Sequence, residues 1–185
     1  SINTDHNPKL KIISIDNNRP NWGSDCVINE SDTIFKLDFS KNPELESISI
    51  PTTGIVSLDL SNNTKLNWLN AGNNRLSTID FSSNTSVETI RIGNNNLSNI
   101  NIDGISSLKV FFIPGNQITE IDLSSNLSLT EINLSNNLLS GVLDVSMFND
   151  LSILELSNNP NIQCVKVSED QLTKLEAGEL PSWSI

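Results

Sequence analysis

The chain has 185 residues, a formal net charge of −11 at pH 7 and a sequence pI of about 4.3. Its 11 Lys and Arg are scattered, which argues against nucleic acid and anionic membranes, because both need a concentrated basic face. No apolar run approaches the roughly 18 residues of a membrane span, and Ser1-Ile2-Asn3 lacks the basic and apolar parts of a signal peptide. Only 36% of residues are apolar, while Asn, Ser, Leu and Ile dominate. That composition suits an array whose coils each bury a thin seam against two neighbours.

Ile2, Thr4 and Asn7 look like the tail of a half-unit, so the chain reads as starting in mid-coil. Leu10, Ile13, Ile15 and Asn18 form the next half-unit, and Ile34, Leu37, Phe39 and Asn42 its partner. The excess between them predicts an inserted loop at 19–33, carrying Trp22 and Cys26, either a functional flap or a cover for the end of the apolar seam.

From Leu45 the period is regular. Leu66, Leu69, Ala71, Asn74 and Leu76 fit L-x-x-L-x-L-x-x-N-x-L. The offsets recur 21 residues later at Val87, Ile90, Ile92, Asn95 and Leu97, then at Leu108, Phe111, Ile113, Asn116 and Ile118. They continue at Leu129, Ile132, Leu134, Asn137 and Leu139 and, after one added residue near Gly141, at Leu151, Leu154, Leu156 and Asn159. Upstream, Leu45, Ile48, Ile50 and Ile55 fit, with Thr53 in place of Asn. Each second half repeats the grammar, as in Ile55, Leu58, Leu60 and Asn63, or Leu76, Ile79, Phe81 and Asn84; in one coil Ile105 replaces the Asn.

Alternating apolar residues make a strand with one buried face. Two such strands per coil predict a mainly β solenoid with two facing parallel sheets and little or no helix. Asn donates and accepts, so Asn74, Asn95, Asn116, Asn137 and Asn159 should form a ladder satisfying backbone groups at the bend. The whole of 1–185 reads as one solenoid: a first coil at 1–44, regular repeats at 45–170 and a C-terminal cap at 171–185. In that cap Leu172, Leu175, Leu180 and Trp183 leave the register.

Over 34–170 this spacing resembles the leucine-rich-repeat superfamily, and its nested form resembles the bacterial IRREKO type found among Bacteroidetes-like surface proteins. The resemblance implies a right-handed solenoid, a secreted or cell-surface location, and a surface for proteins or glycans. Bacterial relatives of this kind also often carry a disulfide in an end cap. Cys26 and Cys164 lie about six coils apart, too far to bridge each other, so partners for either would lie elsewhere.

Nothing in the pattern assembles catalysis. His6 is the one histidine and sits in the ragged first segment, and no phosphate loop, metal-ligand spacing or C-x-x-C occurs. No cofactor and no metal is implied. One alternative concerns the outward column Asp38, Asp59, Asp80, Asp122 and Asp144, in which Asn101 takes a sixth place. Either calcium bridges its carboxylates, Asp59, Asp80 and Asp122 foremost, or each accepts bonds from a nearby serine such as Ser61 or Ser82. N-x-S/T triplets such as Asn62-Asn63-Thr64 are expected by chance in so Asn-rich an array.

The outward residues of the second strands are monotonous, while those of the first strands vary. They are Trp68 and Asn70, Thr89 and Arg91, Val110 and Phe112, Glu131 and Asn133, and Ile153 and Glu155. An aromatic patch with an arginine and a polar rim is the usual make-up of an interaction hot spot. Three readings follow: a protein-binding module anchored by Trp68 and Phe112, a glycan-binding surface using the same aromatics, or a stiff spacer.

Overall fold

The computed structural model describes residues 7–15, 37–180 and 182–185. His6, Ile34, Cys26, Trp22 and the expected loop at 19–33 lie outside the described residues.

Eight strands form one sheet: β1 (Ile12–Ser14), β2 (Ser47–Ser49), β3 (Trp68–Asn70), β4 (Thr89–Arg91), β5 (Val110–Phe112), β6 (Glu131–Asn133), β8 (Ile153–Glu155) and β10 (Trp183–Ser184). A second sheet holds β7 (Ser140–Asp144) and β9 (Asn161–Lys166), and one helix, α1, spans Glu169–Glu176. All pairings are parallel, as stacked coils require. The expected mainly β solenoid is present, with a single short helix among the described residues.

Ile48, Leu69, Ile90, Phe111, Ile132 and Leu154 are register partners, each 0% exposed. The middle residue of every first strand thus joins one continuous interior, the pattern set by period-2 alternation.

The asparagine ladder closes the bend after each strand. Asn95 Oδ1 accepts from the Leu76 N–H of the preceding coil at 3.0 Å. Its Nδ2 donates to Ala71 O in that coil and to Ile92 O in its own, both at 3.0 Å. Asn74, Asn116, Asn137 and Asn159 repeat the arrangement. In the first regular coil the Thr53 hydroxyl donates to Ile50 O, and Asn74 Oδ1 accepts the Thr53 N–H.

The second sheet is smaller than the alternation predicts. Leu58, Leu60, Phe81, Ile100, Ile102 and Leu123 are buried as expected, but their segments form no β-ladder. Alternation dictates extended backbone and inward side chains; it does not dictate pairing with the next coil. An aspartate captures the N–H two residues on, as Asp59 does with Ser61, Asp80 with Ser82 and Asp122 with Ser124, and turns the chain, as Asp144 does with Ser146 at the end of the paired β7. Among the described residues only the longer segments β7 and β9 pair, and their register shifts between Gly141 and Val142, where Gln163 of β9 has no residue opposite it.

A second column backs this side. Asn63, Asn84 and Asn126 donate Nδ2 to two carbonyls of the preceding coil. At the C-terminal end Gln171 takes over this role, donating Nε2 to Val145 O at 3.1 Å and Phe148 O at 2.7 Å. Its Oε1 accepts the Ser168 N–H while the Ser168 hydroxyl accepts the Gln171 N–H, so one side chain starts the helix and ends the column. Gln171, rather than Leu172, is therefore the buried residue of α1; Leu172 is exposed. Trp183 does not stay outside the register. It pairs with Leu154, packs on the core and donates its indole N–H to Leu151 O.

Replacing Asn116 by Ala would strand the buried Leu97 N–H and take one of two amide donors from each of the Ile92 and Ile113 carbonyls, which keep those of Asn95 and Asn137. We expect a loss of about 3 kcal/mol or more in urea unfolding, against roughly 0.5 kcal/mol or less for the exposed Ser98→Ala. Equal effects would show the ladder to be incidental.

Candidate binding face

The varied residues of the first strands fall into two straight rows on the solvent side of the eight-stranded sheet. One row runs Ser47, Trp68, Thr89, Val110, Glu131, Ile153; the other runs Ser49, Asn70, Arg91, Phe112, Asn133, Glu155. All ten candidate residues from Trp68 to Glu155 are half-buried, because side chains on adjacent strands, about 4.8 Å apart, cover one another. Trp68, Val110, Phe112 and Ile153 alternate with the buried Leu69, Phe111 and Leu154, so they point away from the interior. The partly buried apolar residues that do pack on the core, such as Ile79, Ile121 and Trp183, lie elsewhere.

Arg91 stacks on Phe112, its Cζ 4.3 Å from the ring centroid. Asn70 and Asn133 turn partly back on their own chain: Asn70 Oδ1 accepts the Gly72 N–H, and Asn133 Oδ1 accepts from the N–H and hydroxyl of Ser135. Along the flank, Lys11 pairs with Glu46, Lys65 with Glu44 and Lys109 with Glu88. These charges neutralise one another across coils.

Two features of the rim escaped the sequence reading. Asn73, Asn94, Asn136 and Asn158 all adopt left-handed backbone, with Asn94 donating to Asn73 and Asn158 to Asn136 at 2.9 Å. The signal was present: each immediately precedes a ladder asparagine, and Gly115 holds the place where it is missing. Beside Phe112 the chain passes close: a Cβ on Gly93 would come within 2.8 Å of Pro114.

On the second side, Asp38, Asp59, Asp80, Asp122 and Asp144 each accept the backbone N–H of the serine two residues on, at 2.8–3.0 Å, and Asn101 does the same with Asp103. Each of these aspartates thus has the nearby serine as a partner, and the donor common to all is the backbone N–H. Those bonds hold the Asp80 and Asp122 carboxyls below the usual carboxylate range; the neighbouring Asp59 charge acts oppositely on Asp80 and least of its causes. Among the described residues no group of three or more His, Cys, Asp or Glu could hold a metal ion. Cys164 is exposed on β9.

Asp144 is lowered to about 2, first by the hydrogen bond from Lys166 and then by those from Ser146. A depressed folded value means that its contribution is complete above the ordinary 3.8 and is lost as pH falls toward about 2. Asp144→Asn is expected to lower Tm at neutral pH, by an amount that shrinks steadily as pH falls from 3.8 through about 2. A Tm gap that ignores pH would contradict this.

No protein-family model and no curated protein matches the chain. Solved structures do. The functional domain of InlJ from Listeria monocytogenes, which includes a cysteine ladder, is similar over 91% of this chain and 36% of its own, at 22% identity and a TM-score of 0.69. The leucine-rich repeat domain of APL1B is similar over 76% of this chain and 45% of its own, at 24% identity and a TM-score of 0.63. The leucine-rich-repeat ectodomain of the Arabidopsis thaliana receptor kinase GASSHO1/SCHENGEN3, solved with CASPARIAN STRIP INTEGRITY FACTOR 2, matches 64% of this chain and 16% of its own at 22% identity and a TM-score of 0.60. The chain therefore spans less than half the length of these three chains. With its stacked parallel strands, repeating apolar seam and asparagine ladder, this chain has the leucine-rich-repeat fold.

Proposed function

We propose that residues 1–185 form one leucine-rich-repeat binding module, non-enzymatic and without cofactor, that recognises a protein through the solvent face of the eight-stranded sheet. The observation that supports it most is the half-buried apolar and aromatic set Trp68, Val110, Phe112 and Ile153, directed away from a core that does not use it. Stability gives no reason for such residues there, whereas an interface does. Around them Asn70, Thr89, Arg91, Glu131, Asn133 and Glu155 offer polar contacts. The receptor ectodomain solved with its factor is a complex of a similar fold, which favours a protein partner. We also place the module outside the cell, in a secreted or surface-bound protein, in keeping with the receptor ectodomain among the similar structures. No helix among the described residues is long and apolar enough to cross a membrane.

Trp68→Ala with Phe112→Ala should weaken partner binding at least about tenfold with Tm unchanged. The check is capture from the source organism's extracellular fraction on both chains, followed by calorimetry with each protein that the parent alone retains. Equal retention would remove this face from consideration. A glycan array run in parallel separates the sugar reading, since stacking on sugars would give hits that vanish in the same variant.

A further inference from the structure

We propose that the partner segment crossing this face is extended and carries charges of both signs: a carboxylate over Arg91 and, three to five residues along, a cation over Glu131 and Glu155. The inference rests on the reading of the sheet face as the binding surface. Elsewhere on the molecule, charges one coil apart find each other, in Lys11–Glu46, Lys65–Glu44, Lys109–Glu88 and Lys166–Asp144. Among the described residues, Lys9, Lys41, Arg75 and Arg91 have no such pair; the first three are exposed, and Arg91 alone is half-buried. Its Cζ lies 4.3 Å from the Phe112 ring centroid, and no acceptor among the described residues takes a hydrogen bond from its guanidinium. The N–H edge of a guanidinium is a fork shaped for a carboxylate.

The other end of the face has the opposite need. Glu131 and Glu155 lie on the adjacent strands β6 and β8, diagonal to each other about 7 Å apart, and neither has a cation partner among the described residues. They stand two and three strands from Arg91, about 10–15 Å away, too far to neutralise it in water. A segment lying across the strands and advancing about 3.3 Å per residue covers that distance in three to five residues, with an apolar side chain between them over Val110 and Phe112. A neutral sugar answers neither charge, and an acidic sugar answers only one. A polypeptide supplies both, and complementary charge fixes its direction across the face.

The test is selection from a displayed library of random ten-residue peptides on four chains: parent, Trp68→Ala/Phe112→Ala, Arg91→Glu, and Glu131→Lys/Glu155→Lys, each first shown to melt like the parent. We expect peptides that require Trp68 and Phe112 to share an Asp or Glu followed or preceded at this spacing by Lys or Arg. Arg91→Glu should weaken them at least about tenfold, and exchanging the peptide's acid for Lys should restore binding to Arg91→Glu. Peptides that need Trp68 and Phe112 yet lack the charge pair, or ignore Arg91→Glu, would overturn this inference and leave the binding face standing. A selection yielding no peptide that depends on Trp68 and Phe112 would overturn both.

Discussion

Every coil of this molecule must reverse direction just after its strand, where the backbone turns inward beneath the next coil and water cannot reach its polar groups. The ladder asparagines supply the missing partners, each tying its own bend to the coil before it through one acceptor and two donors. Because the tie spans successive coils, it fixes their stacking register. That register in turn decides which side chains become neighbours on the outer face. The aligned rows from Trp68 to Glu155 follow from a constraint met on the far side of the strands.

The second column shows the same physics under weaker constraint. Asn63, Asn84 and Asn126 use their amide hydrogens, but their Oδ1 atoms find no partner among the described residues, although each residue is 0% exposed. Ile105 and Phe148 occupy the equivalent place in two coils, giving up those donors for apolar contact. Gln171, one carbon longer, satisfies both ends of its amide, because the start of α1 gives its oxygen a backbone N–H. Where satisfaction is partial, departures from asparagine are tolerated and regular pairing is confined to β7 and β9.

The two outer surfaces diverge for a related reason. Asp-x-Ser turns keep the second side polar and repetitive, each carboxylate being held by the N–H two residues on. On the first side the strands already have their backbone partners in the sheet, so apart from Asn70 and Asn133, which hold the N–H two residues on, the outward side chains make no bond to the backbone. They are free to vary, and the stacking of Arg91 on Phe112 is one product of that freedom.

Period and alternation, legible in residues such as Leu69, Ile90 and Phe111, determined the solenoid, the interior column and the asparagine ladder, because they depend on spacing alone. The varied residues of the face were legible as a set for the same reason. Tertiary structure alone decided which segments pair. Leu58–Leu60 and Leu143 share one pattern, and Asp59 and Asp144 each take the N–H two residues on, yet only Leu143 lies in a ladder, in the longer segment β7. It also decided that Arg91 lies on Phe112, that Gln171 rather than Leu172 turns inward, and that Trp183 rejoins the sheet. These are contacts between side chains whose separation in space no repeat length encodes.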